Sequence, residues 1–354
     1  MRRPTLYDAS ATTQFATKQR IEPELMRKVR LAWLQANEPL ERALMRLGSE
    51  NCCAAREYFE LQPLEIVDSR ASQLDRSMKF VLATRDQKKL ETVLIRTSAN
   101  KQGVSRNTVC VSTQIGCQAG CPFCATARMG LVRDLNAYEI VEQVRLMAEF
   151  VASEGTRIRN IVFMGMGEPL HNEAMLYEAL SLLTGPREFN FPQRRITVST
   201  VGVPSAMKRL VDNFPGVQLA LSLHATDPEL RRRLVPWSRH YQWSELWEAL
   251  RYASSQNPIR RDPTVMIEYL LISGVNDSPD DANRLVSLLC DVRAVVNLIP
   301  YNPIPFVESW QPTSREHRER FGQSLREAGI PTTIRYSMGR DIQAACGQLV
   351  VSQN

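Results

Sequence analysis

The chain has 354 residues, 44% of them hydrophobic and 23% charged, a composition typical of a folded protein with one large domain and a smaller appendage. No apolar run reaches the ~20 residues of a membrane-spanning helix, and the polar N-terminus lacks the apolar core of a secretory signal. We therefore expect a cytoplasmic protein with no membrane partner. Its net charge of +6 suits a polyanion such as RNA without requiring one.

Within the first 107 residues, the spacing of apolar residues changes from a helical to a strand-like pattern near residue 76. Residues 1–75 are polar, with apolar residues at helical spacing over 23–35 and 39–47, which predicts a helical accessory domain. The strand-like runs 78–84 and 91–95 then flank a turn and predict a β-hairpin. With the polar loop over 96–107, this hairpin forms an extension that spans residues 76–107.

From residue 108 to residue 349, predicted strands alternate with predicted helices. Alternation of this kind indicates a parallel sheet with right-handed crossovers, here an α/β fold with a partial (β/α)6 barrel. In such barrels the chemistry lies at the carboxyl ends of the strands. The predicted strands are 108–114, 160–164, 195–200, 218–223, 264–271, 295–299 and 331–336. The predicted helices are 137–153, 173–184, 203–213, 228–234, 243–256, 279–291 and 315–328.

A cysteine motif, Cys117-Gln-Ala-Gly-Cys121-Pro-Phe-Cys124, follows the first predicted barrel strand. Three thiolates at this spacing can hold three irons of a [4Fe-4S] cluster and leave the fourth iron open to a small molecule. This is the arrangement of radical S-adenosylmethionine (SAM) enzymes, and aromatic Phe123 fits it. A structural zinc site is the alternative, but it requires a fourth ligand close by, and the nearest histidine is His171.

Polar residues and glycines follow the later strands, where a bound SAM would lie. Gly167 and Glu168 follow the second strand and are expected near the methionine portion of SAM. Strand-tip hydroxyl and imidazole groups suit the ribose and carboxylate oxygens, and Asn302 suits the adenine. Any one of these polar residues, taken alone, is more often an ordinary polar group at a strand end than a contact to a ligand. The remaining predicted cofactor-binding residues are Ser199, Ser222, Leu223 and His224.

Longer motifs resemble the RlmN/Cfr family of radical SAM RNA methyltransferases, which methylate a ring carbon of adenosine. The resemblance runs from about residue 78 to residue 349, whereas residues 1–75 match the family poorly. It is specific because a cysteine seven residues before the cluster motif and a late Ala-Cys-Gly-Gln-Leu are not general features of radical SAM enzymes. The motifs include Cys110-Val-Ser-Thr-Gln-Ile-Gly-Cys117, Phe163-Met-Gly-Met-Gly-Glu-Pro169 and Asp341-Ile-Gln-Ala-Ala-Cys346-Gly-Gln-Leu349.

The resemblance implies roles for two further cysteines and one glutamate. In the family, a first SAM methylates a cysteine, here Cys346, and a second SAM on the cluster generates the radical that activates this methyl group. Cys110 then forms a disulfide with Cys346 and releases the methylated base. Glu91 matches the general base. The implied position on adenine is C2, with C8 as the alternative.

The resemblance also implies partners. They are ribosomal or transfer RNA, two SAM molecules per turnover, and a reducing donor such as flavodoxin or ferredoxin, and we expect the protein to act as a monomer. Two other hypotheses stay open: a radical SAM enzyme of this scaffold with a different substrate, and a non-catalytic zinc-stabilised RNA-binding protein.

Overall fold

A computed structural model describes residues 3–97, 106–256, 265–305, 307 and 309–351. Most of the polar loop expected over 96–107 lies outside these residues. Among the residues described, no helix combines the length and the apolar character that crossing a bilayer requires. The buried apolar side chains form a large cluster that extends from Leu6 to Leu349, so the N-terminal helices share their core with the barrel.

Strands dominate the centre of the molecule. Within the described residues, ten of them form one mixed sheet, and β5 and β6 form a separate two-stranded sheet. The strands are β1 (Leu64–Ala71), β2 (Met78–Thr84), β3 (Lys89–Thr97), β4 (Arg106–Cys110), β5 (Gln114–Gly116), β6 (Leu131–Asp134), β7 (Ile158–Phe163), β8 (Ile196–Thr200), β9 (Gln218–Ser222), β10 (Val265–Leu271), β11 (Ala294–Pro300) and β12 (Thr332–Ile334).

The order of the main sheet is β1-β2-β3-β4-β7-β8-β9-β10-β11-β12. Strands β1 to β4 pair antiparallel, and from β4 onward each strand pairs parallel with the next. The parallel part is the predicted partial barrel, and the α/β fold class is confirmed. Because parallel strands end at the same edge, the residues that follow them are brought together there.

Helices connect the parallel strands, and several begin with the expected capping residues. Asn136 and Glu139 form a capping box at the start of α6, and Ser278 and Asp281 form another at the start of α11. The helices are α1 (Ala9–Lys18), α2 (Pro23–Leu34), α3 (Leu40–Met45), α4 (Ser49–Tyr58), α5 (Ala125–Arg128), α6 (Ala137–Ser153), α7 (Glu173–Thr184), α8 (Pro204–Asn213), α9 (Pro228–Leu234), α10 (Trp243–Ser255), α11 (Pro279–Leu288) and α12 (Arg315–Glu327).

The prediction that residues 1–75 are helical is correct for α1 to α4 and wrong for β1. This strand pairs antiparallel with β2, so the hairpin extension has a third strand. Seven of its eight residues are exposed, and therefore it lacks the alternation of apolar and polar residues that reveals a half-buried strand. Its charged side chains are typical of a sheet edge that must not pair further.

The predicted strand 108–114 is also wrong in its second half, because β4 ends at Cys110. After Cys110 the chain leaves the main sheet, and the Ser112 amide donates to the side-chain carbonyl of Gln143 at 2.8 Å. The Ser112 hydroxyl donates to the Glu91 carbonyl oxygen at 2.6 Å. Side-chain hydrogen bonds thus replace the strand ladder and direct the following residues toward the barrel edge.

Candidate active site

The loop that carries the three motif cysteines lies at the carboxyl ends of the parallel strands. Cys117 and Cys121 are buried, and Cys124 is half-buried at the start of α5. Burial raises the pKa of all three thiols, that of Cys117 to about 12. Thiols in this state hold their protons unless a metal supplies positive charge, so the donor set is suited to a metal centre.

The three motif thiols lie close to one another. All three line one cavity, and the neighbouring Cys124 and Cys117 thiols add to burial in raising the pKa of Cys121. The described residues nevertheless contain no group of three or more His, Cys, Asp or Glu side chains placed to bind one metal ion.

This cavity, which we call the upper cavity, lies where β7 to β11 end and has a volume of about 150 Å³. It brings together residues that are far apart in the sequence. The motif cysteines share it with most of the predicted SAM-binding residues, so the predicted convergence at the strand ends is observed. The predicted residues that line it are Cys117, Cys121, Cys124, Gly167, Glu168, Ser199, Ser222, His224, Asn302 and Cys346.

Glycines after β7 are required by the packing of the chain itself. A Cβ atom on Gly165 would lie 2.6 Å from the Ser112 hydroxyl oxygen, and one on Gly167 would lie 2.5 Å from Cβ of Gln114. Gly167 also has a φ of +98°, which disfavours any side chain. The sequence analysis attributed these glycines to the approach of a ligand, and the structure adds this close contact between two loops.

Glu168 connects two neighbouring strand ends. Its two carboxylate oxygens accept hydrogen bonds from the amides of Leu170 at 2.9 Å and Val201 at 2.8 Å. Burial raises its pKa to about 7 despite these hydrogen bonds, which lower it. The carboxylate is thus fixed in orientation at the wall of the upper cavity.

Four predicted cofactor-binding residues lie at the ends of β8 and β9 or directly after β9, and only some of them line the upper cavity. The hydroxyl oxygens of Ser199 and Ser222 lie 3.3 Å apart. His224 accepts a hydrogen bond from the Leu270 amide at Nδ1, and burial lowers its pKa to about 3, so its ring is neutral with the proton on Nε2. Leu223 is fully buried in the core instead, and the upper cavity is not lined by it.

Asn302 contacts the segment that carries Cys346. Its side-chain amide donates to the Cys346 carbonyl oxygen at 3.0 Å. The same segment is held on the cluster loop, because the Ala125 amide donates to Gly347 O at 2.7 Å and the Thr126 hydroxyl donates to Leu349 O at 2.6 Å. Asn302 therefore positions Cys346 in addition to lining the cavity where SAM is expected.

A second cavity, the lower cavity, extends inside the barrel toward the amino ends of the strands and has a volume of about 620 Å³. Cys110 lies on its wall but is not part of the upper cavity. Cys346 lines both cavities, together with Met164, Ile299 and Asn302. The Cys346 thiol therefore stands at the boundary between the cluster side and the Cys110 side.

The two catalytic cysteines predicted from the resemblance are close enough to interact. Burial is the main cause of the raised pKa of the Cys110 thiol, and the neighbouring Cys346 raises it further. All eight cysteines of the sequence lie among the described residues and all are free, so the predicted disulfide is not formed. Both cysteines are thus present as protonated thiols, the state that precedes any exchange between them.

Glu91 lies outside both cavities, in an anchor for the Cys346 segment. One of its oxygens pairs with the Lys79 ammonium at 2.9 Å and the other accepts from the Val350 amide at 2.9 Å. Lys79 also donates to the Gln343 carbonyl oxygen at 3.2 Å. The ion pair therefore holds the chain on both sides of Cys346, and the role of Glu91 as general base stays a prediction.

Sequence reasoning missed two charged residues of the site. Arg231 is fully buried and donates to the carbonyl oxygens of Val201 at 2.6 Å and Leu223 at 3.1 Å, so it ties two strand ends together. It is the first of three consecutive arginines in α9, and nothing in the sequence distinguishes it from the other two. Glu268 lines the upper cavity, and its Oε2 is buried without a partner among the described residues. The sequence feature that could have revealed Glu268 is its place as the single carboxylate in the otherwise apolar strand β10.

The fold and the three-thiol cavity define a radical SAM enzyme. In agreement, residues 111–286 match the sequence profile of the Radical SAM superfamily. A probable RNA methyltransferase of Rhodopirellula baltica is 40% identical over 95% of this chain and 84% of its own length. The dual-specificity RNA methyltransferase RlmN of Nautilia profundicola is 42% identical over 83% of each chain. The chain belongs to the RlmN family of radical SAM RNA methyltransferases.

A solved structure has the same fold over almost the whole length of this chain. The crystal structure of a radical SAM methyltransferase from Sphaerobacter thermophilus superposes with a TM-score of 0.88 at 38% identity, and the match covers 98% of this chain and 99% of that one. The N-terminal helices are included in this match. The Rhodopirellula baltica alignment covers 95% of this chain and so also includes most of residues 1–75, contrary to the expectation that this region matches the family poorly. Membership of the radical SAM superfamily implies a [4Fe-4S] cluster and SAM, and the three cysteines fit that cluster.

Proposed function

We propose that this protein methylates a ring carbon of adenosine in ribosomal or transfer RNA, at C2 first and with C8 as the alternative. The one observation that carries the proposal is the place of Cys346 between the two cavities. A thiol that faces the cluster cysteines on one side and Cys110 on the other can accept a one-carbon unit from the first side and pass it to a base on the second.

In this proposal Cys346 first acts as a nucleophile. Its thiolate takes the methyl group of SAM, the S–CH3 bond forms as the methyl–sulfonium bond breaks, and S-adenosylhomocysteine leaves. Cys117, Cys121 and Cys124 would hold a [4Fe-4S] cluster, which, with a second SAM and an electron from a donor such as flavodoxin or ferredoxin, would supply the radical chemistry that activates the S-methyl group. Two SAM molecules are therefore used for each base methylated. The anchors at Gln343 and Val350 keep the sulfur in place between these steps.

Cys110 completes the reaction from the lower cavity. Once the base is joined to Cys346 through a carbon–sulfur bond, the Cys110 thiolate attacks the Cys346 sulfur. The S–S bond forms as the bond between the Cys346 sulfur and the transferred CH2 carbon breaks, the bonding electrons stay with that CH2 carbon, and it takes a proton to become the methyl group of the base. The resulting disulfide must be reduced by an external thiol before the next turnover.

The experiment that tests this function uses the protein purified without oxygen and loaded with iron. We expect about four irons per chain and, with SAM and a reductant, new methyladenosine in ribosomal or transfer RNA from cells that lack the gene. Mass spectrometry of digested RNA then distinguishes C2 from C8. A colourless protein that holds zinc, or an iron-loaded protein that methylates no RNA, would contradict the proposal.

A further inference from the structure

A group of arginines lies at the amino ends of the parallel strands, opposite the upper cavity. Arg106 begins β4 and Arg159 is the second residue of β7, and β4 and β7 are paired with Asn107 beside Ile158. Arg194 and Arg195 end a short 3-10 turn directly before β8. We call these four residues the arginine cluster.

The arginine cluster has no protein counter-charge. In the part of the chain that the structure describes, none of its members pairs with a carboxylate, and the buried Nε of Arg159 has no hydrogen-bond partner. After burial, the positive charges of Arg159, Arg194 and Arg106 lower the pKa of Arg195. By contrast, Arg96 on neighbouring β3 pairs with Glu154 at 2.8 Å. Like charges held together without a partner favour a bound anion.

The turn that carries Arg194 and Arg195 is fixed by its own contacts. The Gly216 amide donates to the side-chain carbonyl of Gln193 at 2.9 Å, and the Arg195 amide donates to Pro192 O at 2.9 Å. A Cβ atom on Gly216 would lie 2.7 Å from that Gln193 oxygen, so the two loops are in close contact. The arginines are thus presented from a preorganised turn, which reduces the entropy lost when they bind a ligand.

The arginine cluster stands at the entrance of the lower cavity. Arg106, Arg194 and Arg195 line this cavity, and its inner wall carries Cys110 and Cys346. Arg106 and Cys110 are the two ends of β4, which places their backbones about 13 Å apart. A nucleotide whose base reaches Cys346 would leave its flanking phosphates near the arginines.

We propose that the arginine cluster binds the phosphates on either side of the target adenosine, so that the RNA base enters the barrel from the amino ends of the strands while SAM occupies the upper cavity. The guanidinium group suits phosphate because it donates two parallel hydrogen bonds. A base that is modified inside a protein must leave its stack, and fixed phosphates hold it there. The inference rests on the proposed function and adds the path and the binding site of the RNA.

The test is the salt dependence of RNA binding by the iron-loaded protein, measured without reductant so that no turnover occurs. The triple variant Arg106→Gln/Arg194→Gln/Arg195→Gln should bind RNA at least about ten-fold more weakly, and the slope of log affinity against log salt should become shallower by about 2, since each phosphate contact contributes ~0.7. In turnover, kcat/KM for RNA should fall at least about ten-fold. Methylation of Cys346 by SAM in the absence of RNA should also stay unchanged.

Two controls make the result specific. Arg315→Gln removes an exposed arginine at the start of α12 that lines neither cavity, and it should leave the slope of log affinity against log salt unchanged. The single variant Arg194→Gln should make that slope shallower. The triple lysine variant keeps the charge and should keep the slope, which shows whether loss of binding reflects charge or misfolding. A triple glutamine variant that binds like Arg315→Gln would overturn the inference and leave the function standing. A wild-type protein that binds no RNA would overturn the proposed function itself.

Discussion

Replacing Cys110 by alanine is expected to stop the reaction after the base has joined Cys346. The adenosine would then stay linked to the Cys346 sulfur through the transferred CH2 group, because no second thiol is present to break the S–CH2 bond. Turnover should fall on the order of a thousand-fold or more, as for the loss of other nucleophiles. A protein–RNA conjugate should accumulate up to one RNA per protein. Denaturing gel electrophoresis detects it, and mass spectrometry after nuclease digestion should find the nucleotide on the Cys346 peptide.

The geometry explains why Cys110 has this role and other cysteines do not. Cys110 is the thiol that shares the lower cavity with Cys346, whereas Cys290 is exposed after α11. The control Cys290→Ala should therefore turn over normally, and the double variant Cys110→Ala/Cys346→Ala should form no conjugate. Normal turnover by Cys110→Ala without any conjugate would refute the methyl-cysteine mechanism.

The second large effect is expected from Glu91→Gln, which leaves the buried Lys79 ammonium without its counter-charge. Both side chains are buried, with 5% of Lys79 and 3% of Glu91 exposed. Removing one partner of such a pair should lower the free energy of unfolding by about 3 kcal/mol. Urea unfolding followed by tryptophan fluorescence measures this change. RNA methylation should also fall, because the Cys346 segment loses its anchor.

The double variant Lys79→Met/Glu91→Gln distinguishes an anchor from a general base. It removes both charges, and the glutamine carbonyl can still accept the hydrogen bond from the Val350 amide. Most of the lost stability should return, and activity should return in part, because the Val350 contact is kept while the Lys79 hydrogen bond to Gln343 is lost. A stable double variant that still cannot methylate RNA would instead assign Glu91 the role of general base.

The sequence predicted the barrel well because its helices and strands have distinct periods. The predicted helices 137–153, 173–184 and 228–234 match α6, α7 and α9 at both ends, where capping residues mark helix starts. The convergence of Cys117, Ser199 and Asn302 followed from topology alone, since parallel strands end at one edge. These predictions depend on local pattern and on general rules of chain connection.

Other features depend on contacts between distant segments, which a single sequence does not record. The strand β1 is mostly exposed, so no pattern marked it. The anchor at Glu91 requires Val350, 259 residues later in the chain. Arg231 lies in a run of three arginines, yet it is fully buried. The arginine cluster likewise brings together the starts of three strands, and only their pairing in the sheet reveals it.

The most direct test of the central claim follows a labelled methyl group through a single turnover. The iron-loaded protein would be mixed with SAM that carries a deuterated methyl group, and then with reductant and RNA. We expect the label to appear first on the peptide that contains Cys346 and to leave it as labelled methyladenosine forms. Label that reaches the RNA without ever residing on Cys346, or full methylation by Cys346→Ala, would contradict the account.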